Sequence, residues 1–186
     1  MSNGKPKAAY FKGLTKKDYI AKTIEIIDNE GVEAVSIRRI AREMECSSAS
    51  LYRHFENLSE LIYYAELHTL KGYINRLNEA EKGWKNIWDY YVGIWDCYSK
   101  EAFRHQHEYD TLFLVNDNSK LNVSIKEYYE MFPEEKDKTN DFFSEMLETV
   151  DFMGRDFQIC KKCVAAGVID YDEAVRLNRM ACVLYE

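Results

Sequence analysis

Apolar residues recur along the chain at intervals of three and four, and no long stretch alternates apolar with polar, so the pattern predicts helices throughout and no sheet. Thr15 stands three residues before Asp18, a capping-box pair that starts a helix. Tyr19, Ile20, Thr23, Ile24 and Ile27 follow on one face until Gly31 stops it. Ser36 caps a short second helix with Ile37, Ile40, Ala41 and Met44 inward and Arg38, Arg39 and Arg42 outward. After Glu45-Cys46, Ser47 is placed to cap a third helix carrying Ser48, Ala49, Ser50, Leu51, Tyr52, Arg53, His54 and Phe55. Asn57 and Glu60 start a fourth, whose apolar positions Leu61, Ala65, Leu70, Ile74 and Leu77 run to about Ala80.

Beyond Gly83, Trp84, Trp88, Tyr91, Trp95 and Tyr98 are spaced by fours and threes, which predicts a helix with an aromatic stripe. A further helix is expected between about His105 and Val115, closed by the polar run Asn116 to Ser119, and another runs to Pro133. A long helical pattern from about Lys136 to Ala166 includes Phe142, Phe143, Met146, Leu147, Val150, Met153, Phe157 and Val164, and ends at Gly167. Asp170 and Glu173 cap a final helix bearing Ala174, Val175, Leu177, Ala181 and Leu184. The expected fold is all-α with eight to nine helices, a three-helix head at residues 1–60 and a larger helical body at 61–186.

Composition narrows the function. No stretch approaches the roughly 18 uncharged apolar residues of a membrane span, and the polar N-terminus with Lys5, Lys7 and Lys12 does not read as a signal peptide. A cytoplasmic protein is expected, its five cysteines free thiols. The net charge of −7 conceals a split, because residues 1–58 hold ten Lys or Arg against eight Asp or Glu. A mildly basic head on an acidic body allows oriented contact with phosphates.

The predicted third helix sharpens this. Leu51 and Phe55, four apart, are its buried side, so Ser48, Ser50, Tyr52, Arg53 and His54 project. Small hydroxyl residues let the backbone approach base edges in a major groove, and Tyr, His and Arg can donate to phosphates. The run Ser36-Ile37-Arg38-Arg39-Ile40-Ala41-Arg42-Glu43-Met44, then Cys46-Ser47, Leu51-Tyr52-Arg53-His54-Phe55-Glu56-Asn57 and Glu60-Leu61 closely resembles the N-terminal domain of the TetR family of regulators. That resemblance covers about a quarter of the chain. It implies a homodimer on palindromic double-stranded DNA, with Ser48, Ser50 and Arg53 nearest the bases and Tyr52 and His54 nearer phosphates. Ser36, Arg38, Ser47 and Ala49 complete the expected DNA-facing set. Two positions depart from the family pattern: Glu45 stands where glycine is usual, and Leu58 where lysine is common.

The resemblance also implies a body that encloses a small-molecule effector and dimerises through its last two helices. Trp84, Trp88, Tyr91, Trp95 and Tyr98 are then the candidate ligand-binding residues, beside the ordinary reading that such a stripe packs a core. The expected effector is flat and largely apolar, with the acids Asp89, Asp96 and Glu101 favouring a cationic group. The alternative is a helix-turn-helix protein without a small-molecule pocket, controlled by a protein partner or by thiol oxidation. Cys160-Lys161-Lys162-Cys163 has redox or metal spacing, but it falls inside a helix with no second such pair. His105 and His107 are two apart, the wrong spacing for one helical face. No phosphate loop or catalytic signature is present, so neither an enzyme nor a cofactor or metal site is expected.

Overall fold

The computed structural model describes residues 13–115, 118–136, 146, 149 and 152–184, all helices, turns and connections with no strand among them. Chain contacts divide it into two compact units, Met1–Ala65 and Glu66–Glu186. The predicted arm lysines Lys5, Lys7 and Lys12 lie outside the described residues, as do Phe142, Phe143, Leu147 and Val150.

In the smaller unit, α1 (Lys16–Glu30) opens with the predicted Thr15–Asp18 capping box and ends where the Gly31 amide, at φ 84°, donates to the Ile27 carbonyl. A 3-10 turn (Val32–Ala34) leads to α2 (Ile37–Glu43), α3 (Ser48–Leu51) and α4 (Leu58–Glu66). Ile20, Ile26, Ile40, Leu51, Phe55 and Leu61 form the core, together with the buried Tyr19 ring. Ile26 takes the central place expected of Ile24 and Ile27, which are half-buried. Arg39 faces Glu30 and Glu43 and ties the end of α1 to α2, with Nε 2.8 Å from the Glu43 carboxylate.

In the larger unit, the predicted fourth helix does not run through. It tightens to a 3-10 turn at Leu67–Thr69, where His68 turns toward Tyr128 and Glu135, and resumes as α5 (Leu70–Glu81). α6 (Ile87–Arg104) begins three residues later than the stripe suggests. The Asn86 side chain accepts from the amides of Trp88 and Asp89, and this cap fixes the start. α7 (Gln106–Asp110) passes into a π-helical turn (Thr111–Val115), then α8 (Asn118–Met131). Pro133, expected as a terminator, instead opens the short α9 (Pro133–Lys136), using the first helical position, where a missing amide costs nothing. α10 (Phe152–Ala165) closes at Gly167, φ 69°, and α11 (Tyr171–Val183) starts from the predicted Asp170–Glu173 capping box. Both are packed together and α10 also meets α6.

Polar groups organise this unit's interior. Asp156, 4% exposed, accepts from Trp95 Nε1 at 2.7 Å, Asn178 Nδ2 at 2.9 Å and Cys160 Sγ at 3.6 Å, so one carboxylate joins α6, α10 and α11. Glu101 is held by Arg76 Nε at 2.7 Å, and a Cβ on Gly72 would fall 2.7 Å from its Oε2. Glu66 differs: its Oε1 is 3.9 Å from His107 Nε2 and its buried Oε2 has no hydrogen-bond partner. Burial, reinforced by Glu108, pushes its pKa from 4.5 to about 7.

The folded unit therefore holds a proton that the unfolded chain has released between pH 4.5 and about 7, and its stability falls as pH rises through that window. Glu135 acts elsewhere. Burial pushes its carboxyl up, but His68, Tyr128 and Lys71 outweigh that and leave it lowered, so its contribution is lost only as pH falls below 4.5. In urea titrations of the larger unit, Glu66→Gln removes on the order of 2 kcal/mol of the stability difference between the two ends of the upper window. An identical pH slope in both proteins would contradict this assignment.

Candidate nucleic-acid interface and body cavity

The second and third helices are joined by a turn that closes α2 from behind. The Cys46 amide donates to the Ala41 carbonyl at 2.9 Å and the Glu45 amide to Arg42 at 3.3 Å, a Schellman pairing that requires a left-handed residue. Glu45 is that residue, at φ 53°, where a side chain costs roughly 1 kcal/mol that glycine does not incur. The departure noted in the sequence is thus accommodated without changing the turn.

α3 is regular for a single turn, shorter than predicted. Tyr52–His54 form a turn, although the amides of His54 and Phe55 still bond to the Leu51 carbonyl, at 2.9 and 3.1 Å, and continue the winding. Leu51 (0% exposed) and Phe55 (3%) are buried as expected, and Tyr52 is 56% exposed. Ala49 and Arg53 are exposed, while Ser48, Ser50 and His54 are half-buried. Ser47 holds the cap position, but its side chain makes no capping bond, so its hydroxyl is free for other partners. Ser36 does cap, its Oγ accepting from the Arg39 amide at 3.2 Å. Arg38 and Arg42 are exposed and have no carboxylate partner among the described residues, unlike Arg39.

Two of the expected contact residues are also tied into the unit. The His54 ring lies 5.5 Å from that of Tyr19. Ser50 Oγ accepts from the Tyr19 hydroxyl at 2.8 Å and from Arg53 Nη2 at 2.9 Å. Tyr19 was legible only as core, because the spacing that marks a buried face carries no sign of a bond made 31 residues away.

The larger unit contains a cavity of about 50 Å³, lined by Leu70, Tyr73, Ile94, Trp95, Tyr98, Phe113, Met146, Arg155, Asp156 and Ile159. A water needs roughly 10–15 Å³ of such space, so it holds a few waters or a small fragment. Trp95 and Tyr98 of the aromatic stripe line it, and Trp84, Trp88 and Tyr91 do not. Trp84 precedes α6 and folds back over Gly93, with its ring 4.8 Å from Tyr90. Trp88 is 40% exposed, and Tyr91 is buried with its ring 6.3 Å from Trp88. The acids expected to favour a cation are engaged elsewhere: Asp89 caps the Lys85 amide, Asp96 pairs with Lys100, and Glu101 with Arg76. The cavity instead carries Arg155, whose guanidinium lies over the Phe113 ring at 5.2 Å. Arg155 and Asp156 were missed, because nothing in the sequence separates them from solvent-facing charges of the same helix such as Lys161 and Lys162.

Cys160, Cys163 and Cys182 are fully buried, and burial pushes the first two thiols above their usual range, which opposes thiolate chemistry. No helix among the described residues is long and apolar enough to cross a membrane.

A short capped helix, a tight left-handed turn and a third helix anchored by two buried residues define the smaller unit as a helix-turn-helix domain. Residues 20–63 match the family model described as bacterial regulatory proteins, tetR family, so the helix-turn-helix domain is of the TetR type. It is similar to an HTH-type transcriptional regulator of Staphylococcus aureus strain MRSA252, 27% identical over 144 residues that span 73% of this chain and 77% of the relative. Another, from strain USA300, is 37% identical over 57 residues, 31% of either chain.

Glu45→Gly relieves the left-handed side chain and raises the unfolding free energy of the smaller unit by about 1 kcal/mol, readable as a higher urea midpoint at unchanged slope. A lower midpoint would show that the glutamate side chain contributes more than the turn costs. In the body, a Cβ at Gly93 would meet the Trp84 indole at 2.3 Å. Gly93→Ala therefore displaces Trp84 and shifts its fluorescence to longer wavelength, with a net destabilisation of about 1 kcal/mol after the gain in helix propensity. Unaltered emission would mean that the ring does not rest there.

Proposed function

We propose that the chain is a homodimeric repressor in the cytoplasm that reads a palindromic operator and is released by a compact, largely apolar or aromatic effector. In this reading it is a regulator and not an enzyme, with residues 1–60 serving DNA and 61–186 serving the effector and dimerisation. The observation that carries it is the division of α3 and its following turn: Leu51 and Phe55 are sunk in the core while Ala49, Tyr52 and Arg53 stand outside. A single short helix presented this way fits a major groove about 12 Å wide. Ser48, Ser50 and Arg53 then meet base edges, and Tyr52, His54, Ser36, Arg38, Ser47 and the Ala49 backbone lie along the phosphates. The relatives' description as transcriptional regulators supports the same role.

Met180 (67% exposed), Val183 (69%) and Leu184 (81%) leave α11 with an apolar outer side, which supports pairing of the last two helices with their two-fold mates. The cavity beside Trp95 and Tyr98 supports an effector site, and Arg155 with Asp156 gives it a polar end. Its small volume favours a second reading, in which a protein partner controls the dimer; tryptophan quenching by a broad panel of compact aromatic compounds separates the two.

Footprinting on DNA flanking the chain's own gene tests the proposal: a protected pair of half-sites about 10 base pairs apart is expected, lost in Arg53→Ala. Leu58→Lys introduces a cation where the family pattern the sequence resembles commonly has lysine, and steepens the dependence of log affinity on log salt by about one unit. Coincident salt slopes would remove residue 58 from the phosphate contact.

A further inference from the structure

We infer that Tyr19, buried in the first helix, is a positioning residue for operator reading: its hydroxyl fixes Ser50, and Ser50 fixes the Arg53 side chain on the exposed side of the unit. The inference rests on the DNA-reading role proposed above and adds a residue to it.

Tyr19 is 0% exposed, yet its hydroxyl reaches the edge of the recognition segment, 2.8 Å from Ser50 Oγ and 3.7 Å from Cys46 Sγ. A serine hydroxyl has two acceptor lone pairs and one proton. The Tyr19 hydroxyl takes one lone pair and Arg53 Nη2 the other, at 2.9 Å, so the Ser50 proton is left to donate outward. Arg53 would otherwise be an exposed, rotamer-rich side chain. Anchored by one Nη, it keeps its remaining N–H donors for a base edge or phosphate and loses less conformational freedom on binding. The Tyr19 ring is itself immobilised between His54, at 5.5 Å, and Phe55, at 6.4 Å, so the chain of bonds starts from a fixed point. Burial raises the Tyr19 pKa, which keeps its proton in place as a donor.

Tyr19→Phe removes only the hydroxyl and keeps the ring contacts. A duplex enriched by the wild-type chain from a random-sequence library and a scrambled duplex of equal length serve as probes. Tyr19→Phe is expected to weaken binding to the enriched duplex by about 3- to 10-fold, the effect of one side chain left to be ordered on binding. Binding to the scrambled duplex and the melting temperature stay as in the wild type, and the substitution adds nothing in a Ser50→Ala background. Equal weakening on both duplexes, no weakening on either, or additive effects with Ser50→Ala would each overturn the inference. A wild-type chain that enriches no sequence would instead overturn the DNA-reading proposal itself. One measurement needs no DNA: the Arg53 Nε–H resonance is ordered in the free wild-type protein and averaged in both Tyr19→Phe and Ser50→Ala. Averaging already present in the wild type would refute the anchoring.

Discussion

A helix of four residues has no stability of its own, since the first turn fixes several dihedrals for a single hydrogen bond. α3 exists because Leu51 and Phe55 are buried, at 0% and 3% exposure, against α1 and α2. Truncating either side chain would cost about 2–5 kcal/mol, a large share of what a small helical unit has to spare. The remaining features of the smaller unit serve that burial. The Schellman turn at Glu45 aims the chain, Ser36 starts α2 at the right residue, and Arg39 holds α2 to the end of α1.

The larger unit is organised differently, by buried charge. Asp156 collects donors from α6, α10 and α11, and Glu101 fixes α5 to α6 through Arg76 and the space left at Gly72. Removing one partner of such a group strands the other buried and unpaired, which costs more than the intact arrangement contributes to net stability. The cavity lies beside one of these centres, and Trp95 in its wall is held in place by the hydrogen bond to Asp156.

The helices were legible wherever capping and periodicity agreed. Thr15 with Asp18, Ser36, Asp170 with Glu173 and the stop at Gly167 are local signals, and the structure uses each of them. The elements misread were those settled by distant partners. The break at Leu67–Thr69 coincides with the bond from His68 to Glu135, 67 residues away. The aromatic stripe showed a face but not where its helix begins, and Asn86 moves that start past Trp84, which turns the first ring into a cover over Gly93. In the candidate interface, residue type and spacing showed which side of α3 is buried. They did not show that Ser50 and His54, expected to face DNA, are also bonded or stacked to Tyr19.

The double duty of this segment restricts how the protein can change over generations. Leu51 and Phe55 are committed to the core, and Ser50 and His54 are half committed through Tyr19. Ala49 and Tyr52 are exposed positions between Ser48 and Phe55 outside that anchorage, whereas exchange of Arg53 would lose its bond to Ser50. Drift in a duplicated copy of the gene would meet least resistance at those exposed positions, while exchanges at Tyr19 or Ser50 would alter several contacts together.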